Sequence, residues 1–232
     1  MKQKTVTIIV ALAVLIVLVL VGRYGFTVVK SADVEKAAQS EKFDPVAYVD
    51  GIWSSKLLPS YDKAVELSKI LSEMQTDASG IIPKESLIAV TNKYGLITVG
   101  DAHVYMVKGS GKVTNVKADT SLGTVEVTLD GYSGPIKTLV YIGTRLPSDD
   151  SSVRDAVGFI TLGNFKDQIE YGQAGSEINN RVLSQVLNHV DKNNLMGKTI
   201  SFTGAFTIRT QNIVTIKLAD VRIVPIEIKF GE

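Results

Sequence analysis

No cysteine occurs among the 232 residues, and that absence removes disulfides, thiolate metal sites and thiol nucleophiles together. Stability must come from packing alone. Histidine is almost as scarce. His103 and His189 are the only two, far apart and without an HExxH spacing, so no zinc centre and no cofactor is expected. An excess of one charge is also missing. With 25 Lys plus Arg against 24 Asp plus Glu, the chain has no electrostatic footprint for nucleic acid. There is no internal repeat, no low-complexity linker and no G-x-S-x-G nucleophile elbow; Ser–Lys pairs stay open. Gly109-Ser-Gly-Lys112 is only a fragment of a phosphate loop, because Met106 and Val113 stand where the full pattern has Gly and Ser or Thr. Asp149, Asp150 and Asp155 lack the spacing and downstream Glu of a calcium loop.

What the chain has in plenty is one hydrophobic run, Val6 to Gly22. Roughly 20 apolar residues span a hydrocarbon core, and a run of about 17 is the lower end of what suffices. A single transmembrane helix is therefore expected. Lys2 and Lys4 precede the run and Arg23 alone follows closely, so the N-terminus should stay in the cytoplasm and the bulk of the chain should lie outside it. The competing reading is a cleaved signal peptide, whose nearest small-x-small site, Val29-Lys30-Ser31, lies well beyond the apolar core. Residues 1–30 are thus read as a cytoplasmic tip and membrane anchor.

From 31 to 95 the pattern is helical. Asp44 and Pro45 read as N-cap and first helical residue, with Val46, Val49 and Trp53 following on one side. A second helix is expected from Ser60 to Thr76, on the spacing of Ala64, Leu67, Leu71 and Met74, and a third from Pro83 to Gly95. Beyond Gly95 the period falls to 2. Ala102 to Ala118 reads as one long strand bent at Gly109–Gly111. Thr124 to Asp130 and Ile136 to Ile142 follow as strands. A polar loop, 147–152, then leads into helix, where Asn164 and Asp167 resemble a capping box and Gly172 and Gly175 are possible break points. Ile200 to Ile208 and Val214 to Leu218 read as a closing hairpin. The fold class is α+β: an anchor, a short helical segment, then over 96–232 an OB-like five-stranded antiparallel β-barrel with a helical insertion between strands 3 and 4. An ordinary antiparallel sheet with helices on one face is the alternative.

Three stretches also resemble a known family: Phe43-Asp-Pro-Val-Ala-Tyr-Val-Asp-Gly-Ile-Trp53; Val153-Arg-Asp-Ala-Val-Gly-Phe159 with Phe165-Lys-Asp-Gln-Ile-Glu-Tyr171; and Met196-Gly-Lys-Thr-Ile-Ser-Phe-Thr-Gly-Ala-Phe206. Together they resemble, over nearly the whole chain, the bacterial domain-of-unknown-function family described as predicted periplasmic lipoproteins. The resemblance implies an extracytoplasmic, membrane-tethered protein, often encoded near carbohydrate ABC uptake systems, with no established activity. The lipid-bearing cysteine is missing, which leaves the helix from Val6 as the tether.

Four side chains are candidates for binding. Arg154 and Asp155, flanked by Val153 and Ala156, form a charged pair in apolar surroundings that either receives a ligand carboxylate or hydroxyl or pins a loop. Gln168 stands near them in sequence with Glu170 and Tyr171, and a solvated helix start accounts for these polar groups equally well. Trp53, with Tyr48 and Phe43, either offers a stacking face to a sugar or packs in the core. The expected function is a non-enzymatic, membrane-anchored accessory or binding protein. Its expected partners are the membrane, through residues 6–22, and ABC transporter components or a solute-binding protein; the small-molecule ligand stays unnamed. The alternatives are an envelope hydrolase or transferase built around Arg154 and Asp155, and a structural envelope component.

Overall fold

Ala102–Lys117 forms β4, the strand on which the rest of the fold is assembled. The structure, a computed structural model, describes residues 14–15, 23, 42–98, 100–210 and 215–231. The predicted anchor, 6–22, lies outside the described residues apart from Val14 and Leu15. Among the described residues no helix is long and apolar enough to cross a membrane. The chain divides into two compact units, Met1–Phe43 and Asp44–Glu232, and every element below belongs to the second. From residue 44 onward the helical stretch expected at 31–95 is therefore part of the same unit as the barrel.

The barrel is a closed ring. β4 pairs with β5 (Thr124–Leu129), β5 with β6 (Lys137–Tyr141), β6 with β9 (Asp220–Phe230), β9 with β7 (Thr199–Arg209), and β7 with β4 again. β6 and β9 run parallel and the other ring pairs antiparallel. This five-strand ring, with helices between its third and fourth strands in chain order, is the OB-like arrangement. The whole sheet is larger than expected. β1 (Val65–Glu66) and β3 (Gly95–Thr98) also lie along β4, making seven strands, while β2 (Ile81–Pro83) and β8 (Thr215–Lys217) form a pair of their own.

The closing partner of β7 is β9, not the segment Val214–Leu218, whose described part pairs with β2. In β9 the inward alternation of Val221 and Ile223 slips by one residue, so that Thr203 faces Glu227 but Gly204 faces Pro225. Ile226 is the extra residue of a bulge. Gly204 is required there, since a Cβ would lie 2.3 Å from the Val224 carbonyl oxygen. The bulge in β4 falls between Val113 and Asn115, beyond the glycines expected to bend it. Gly111 instead permits close approach, because a Cβ there would meet the Thr128 carbonyl oxygen at 2.2 Å.

The helices differ from expectation in three places. α1 (Pro45–Ile52) starts as predicted, with the Asp44 carboxylate accepting from the Val46 and Ala47 N–H groups, and runs on through a π-helical turn, Trp53–Leu57. The helix expected over 60–76 shortens to α2 (Leu67–Glu73), because Val65 and Glu66 pair with Val107 and Lys108 of β4. α3 (Lys84–Tyr94) ends at Gly95. After α4 (Ser152–Ala156), the side chains of Thr161 and Asn164 cap a 3-10 turn of their own. Asp167 alone caps α5 (Gln168–Gln185), which runs unbroken through both glycines.

Two apolar cores result. Inside the barrel, Tyr105, Val107, Val113, Val127, Phe202 and Phe206 meet Leu67, Ile70 and Leu71 of α2 and Met74 at its C-terminal cap. The second core lies between the outer face of the barrel, with Val104, Ala205 and Val224, and the layer formed by α1, α4 and α5, with Val49, Trp53, Val153, Ile178 and Val182. Alternation along β4 and β7 sends successive side chains to the two cores in turn.

A polar cluster sits in the wall. The Thr91 hydroxyl donates to the Leu87 carbonyl at 2.7 Å, and so accepts from His103 Nδ1–H at 3.0 Å and from the Tyr105 hydroxyl at 2.5 Å. Burial, the largest influence, lowers the pKa of His103 from its ordinary 6.5; Asp101 opposes this and Lys84 adds to it. A histidine with a depressed folded pKa stabilises the fold above its unfolded pKa, and that contribution is lost as pH falls through about 6.5 and below. Denaturant midpoints measured from pH 7.5 to 5.5 should fall in the wild type and stay flatter in His103→Gln. Equal slopes would refute a neutral buried imidazole.

Candidate functional site

α4 is a short helix with every residue buried, lodged where the outer face of the barrel meets α5. The Asp150 carboxylate starts it by accepting from both the N–H and the hydroxyl of Ser152. Arg154 and Asp155, each 9 % exposed, pair at 2.8 Å between Nε and Oδ1. Asp155 Oδ1 also accepts from the Tyr171 hydroxyl at 3.0 Å, and Oδ2 accepts from the Ser151 hydroxyl at 2.6 Å. The guanidinium donates to the Tyr171 carbonyl at 3.0 Å and lies 3.6 Å from the centre of the Tyr171 ring. Gly175 on α5 makes room for it, since a Cβ would stand 2.9 Å from Arg154 Nη1. Burial first, and then the neighbouring Asp155 carboxylate, push the Tyr171 phenol up to about 12, so it remains a hydrogen-bond donor at physiological pH. Phe165 extends the aromatic contact, with its ring 5.5 Å from Tyr171 and 5.2 Å from Tyr48 of α1.

Beside this cluster opens an apolar cleft of about 650 Å³. One wall is β3, with Leu96, Ile97 and Thr98; the other is the turn after α4, with Ile160 and Leu162; the first turns of α5 complete it with Gln168, Tyr171 and Gly172. Asp155 lines the cleft, whereas Arg154 does not. Gly158 holds the turn after α4 in a left-handed conformation, φ +73°, against Leu96. A Cβ on Gly172 would meet nothing within 4 Å, so this stretch of α5 leaves open space.

Three of the four sequence candidates converge here: Arg154, Asp155 and Gln168. Trp53 does not. It is 3 % exposed in the outer core, with the Arg181 guanidinium 5.9 Å from its ring centre, and offers no face to a sugar. His103 lies buried in β4 and His189 at an exposed 3-10 turn. Among the described residues, no group of three or more His, Asp or Glu is placed to hold a metal ion. Sequence reasoning missed the cleft walls, Leu96, Ile97, Ile160 and Leu162, because they come from separate segments. The one local signal was a short apolar pair, Leu96-Ile97, directly after Gly95.

A family model described as predicted periplasmic lipoprotein (DUF2291) matches residues 14–229. Among solved structures, an OB-fold protein from Thermotoga maritima is similar with a TM-score of 0.58 and 16 % sequence identity, over 82 % of this chain and 100 % of that one. At that identity the likeness speaks for the fold alone. No curated protein matches the chain.

Proposed function

Because the chain belongs to the family of predicted periplasmic lipoproteins, whose place is the cell envelope outside the cytoplasm, we propose that it is an extracytoplasmic accessory binding protein and that the cleft beside Asp155 is where it binds. Residues 6–22 serve as its membrane tether, since these 232 residues contain no cysteine to carry a lipid. One observation carries the binding role. Three of the exposed large apolar side chains, Leu96, Ile97 and Leu162, line the cleft together. Such concentration on one surface marks an interaction site, whereas scattered apolar residues do not. Binding is favoured over catalysis because Asp155, the carboxylate in the cleft, is already engaged by Ser151, Arg154 and Tyr171. The system it serves is read as solute uptake through carbohydrate ABC transporters, following the family resemblance.

The test has two arms. A C-terminal alkaline phosphatase fusion to the full chain should be active, which only an extracytoplasmic C-terminal end permits; an inactive fusion with an active cytosolic reporter at the same position would sink the location. Deletion of the gene should reduce uptake of at least one labelled sugar, and unchanged uptake across a sugar panel would sink the transport role.

A further inference from the structure

The geometry points to a ligand for the cleft with an apolar body and a hydrogen-bond donor at one end, such as a long-chain alcohol, rather than a carboxylate or a free sugar. This rests on the cleft being the binding site. The walls set the body. Leu96, Ile97, Ile160 and Leu162 are aliphatic, and among the described residues Asp155 is the one charged side chain lining the space, beside the uncharged polar Thr98, Thr161, Gln168 and Tyr171, so an apolar group is accommodated and a polyhydroxylated one would set hydroxyls against aliphatic walls. A cleft of about 650 Å³ lies within the range that takes a drug-sized ligand.

The buried pair sets the polar end. Arg154 is turned away from the cleft, held against the Tyr171 ring and the α5 backbone, and cannot present its fork to a ligand anion. Asp155 is the member that faces the space. A carboxylate has about four acceptor positions. Three of those on Asp155 are filled, two on Oδ1 by Arg154 Nε and the Tyr171 hydroxyl and one on Oδ2 by the Ser151 hydroxyl. The remaining position, on Oδ2, accepts a hydroxyl or amine hydrogen and repels an anion. Gln168, at the mouth, can serve as either donor or acceptor to the same head group.

The experiment compares three probes that share one body: 1-decanol, methyl decyl ether and decanoate. Each is titrated against the full chain held in amphipol, and against Gly172→Phe in the same form. Phenylalanine at 172 projects into open space in the cleft, and circular dichroism establishes that the variant is folded. The expected result is binding of decanol to the wild type, about tenfold or more weaker binding of the ether and of decanoate, and loss of decanol binding in Gly172→Phe. Equal binding of all three probes that Gly172→Phe abolishes overturns the donor preference and leaves the cleft as the site. Decanol binding that Gly172→Phe does not change, or no binding of any probe, overturns the cleft itself.

Discussion

Arg154→Ala is expected to destabilise the protein by about 3–5 kcal/mol, the usual cost of stranding one member of a buried ion pair. Without the guanidinium, Asp155 keeps only the Ser151 and Tyr171 hydroxyls in a site that is almost closed to water. The Tyr171 carbonyl loses its donor at 3.0 Å and the Tyr171 ring loses the cation that covers it. Urea unfolding should show a lower midpoint with an unchanged slope. Replacing both members, Arg154→Met with Asp155→Leu, should recover most of the loss, because an apolar pair has no charge to desolvate. A single-variant cost below about 1 kcal/mol would mean that water reaches the pair, since exposed ion pairs are worth that little.

Phe206→Ala should cost about 3–5 kcal/mol, from lost burial and from the cavity left in a ring of strands that cannot collapse inward. Phe206 is 1 % exposed and stacks on Tyr105 at 4.9 Å between ring centres, 17° from parallel. That stack adds roughly 0.5–1.5 kcal/mol beyond burial. Phe206→Leu refills much of the volume and should cost clearly less, as size-conserving swaps do. Calorimetric midpoints of the two variants test the order. If leucine proved as damaging as alanine, shape at the stack would matter more than volume.

Much of the barrel was legible wherever one face of a strand is buried and the other is not. Thr124–Leu129 and Thr199–Arg209 alternate cleanly because their odd and even positions meet different surroundings. β9 was hidden because the extra residue Ile226 breaks its phase at Pro225, and a proline inside a run argues against a strand. The two-residue β1 was hidden because its pairing with Val107 and Lys108 is tertiary, and nothing local competes with the helical spacing around it. At the site, two charged residues flanked by apolar ones pointed to partial burial and pairing of Arg154 and Asp155, and both are 9 % exposed. Which of them lines the cleft is decided by Gly175 and Tyr171 on a helix further along the chain, and no local pattern carries that information.

The parallel pairing of β6 with β9 has a kinetic side. β9 is the last of the five ring strands in chain order, yet it sits between the third and the fourth, so neither β6 nor β7 has its second ring neighbour until β9 has been made. Contacts this distant along the chain form slowly, and until then two hydrogen-bonding edges stay open to other polypeptides.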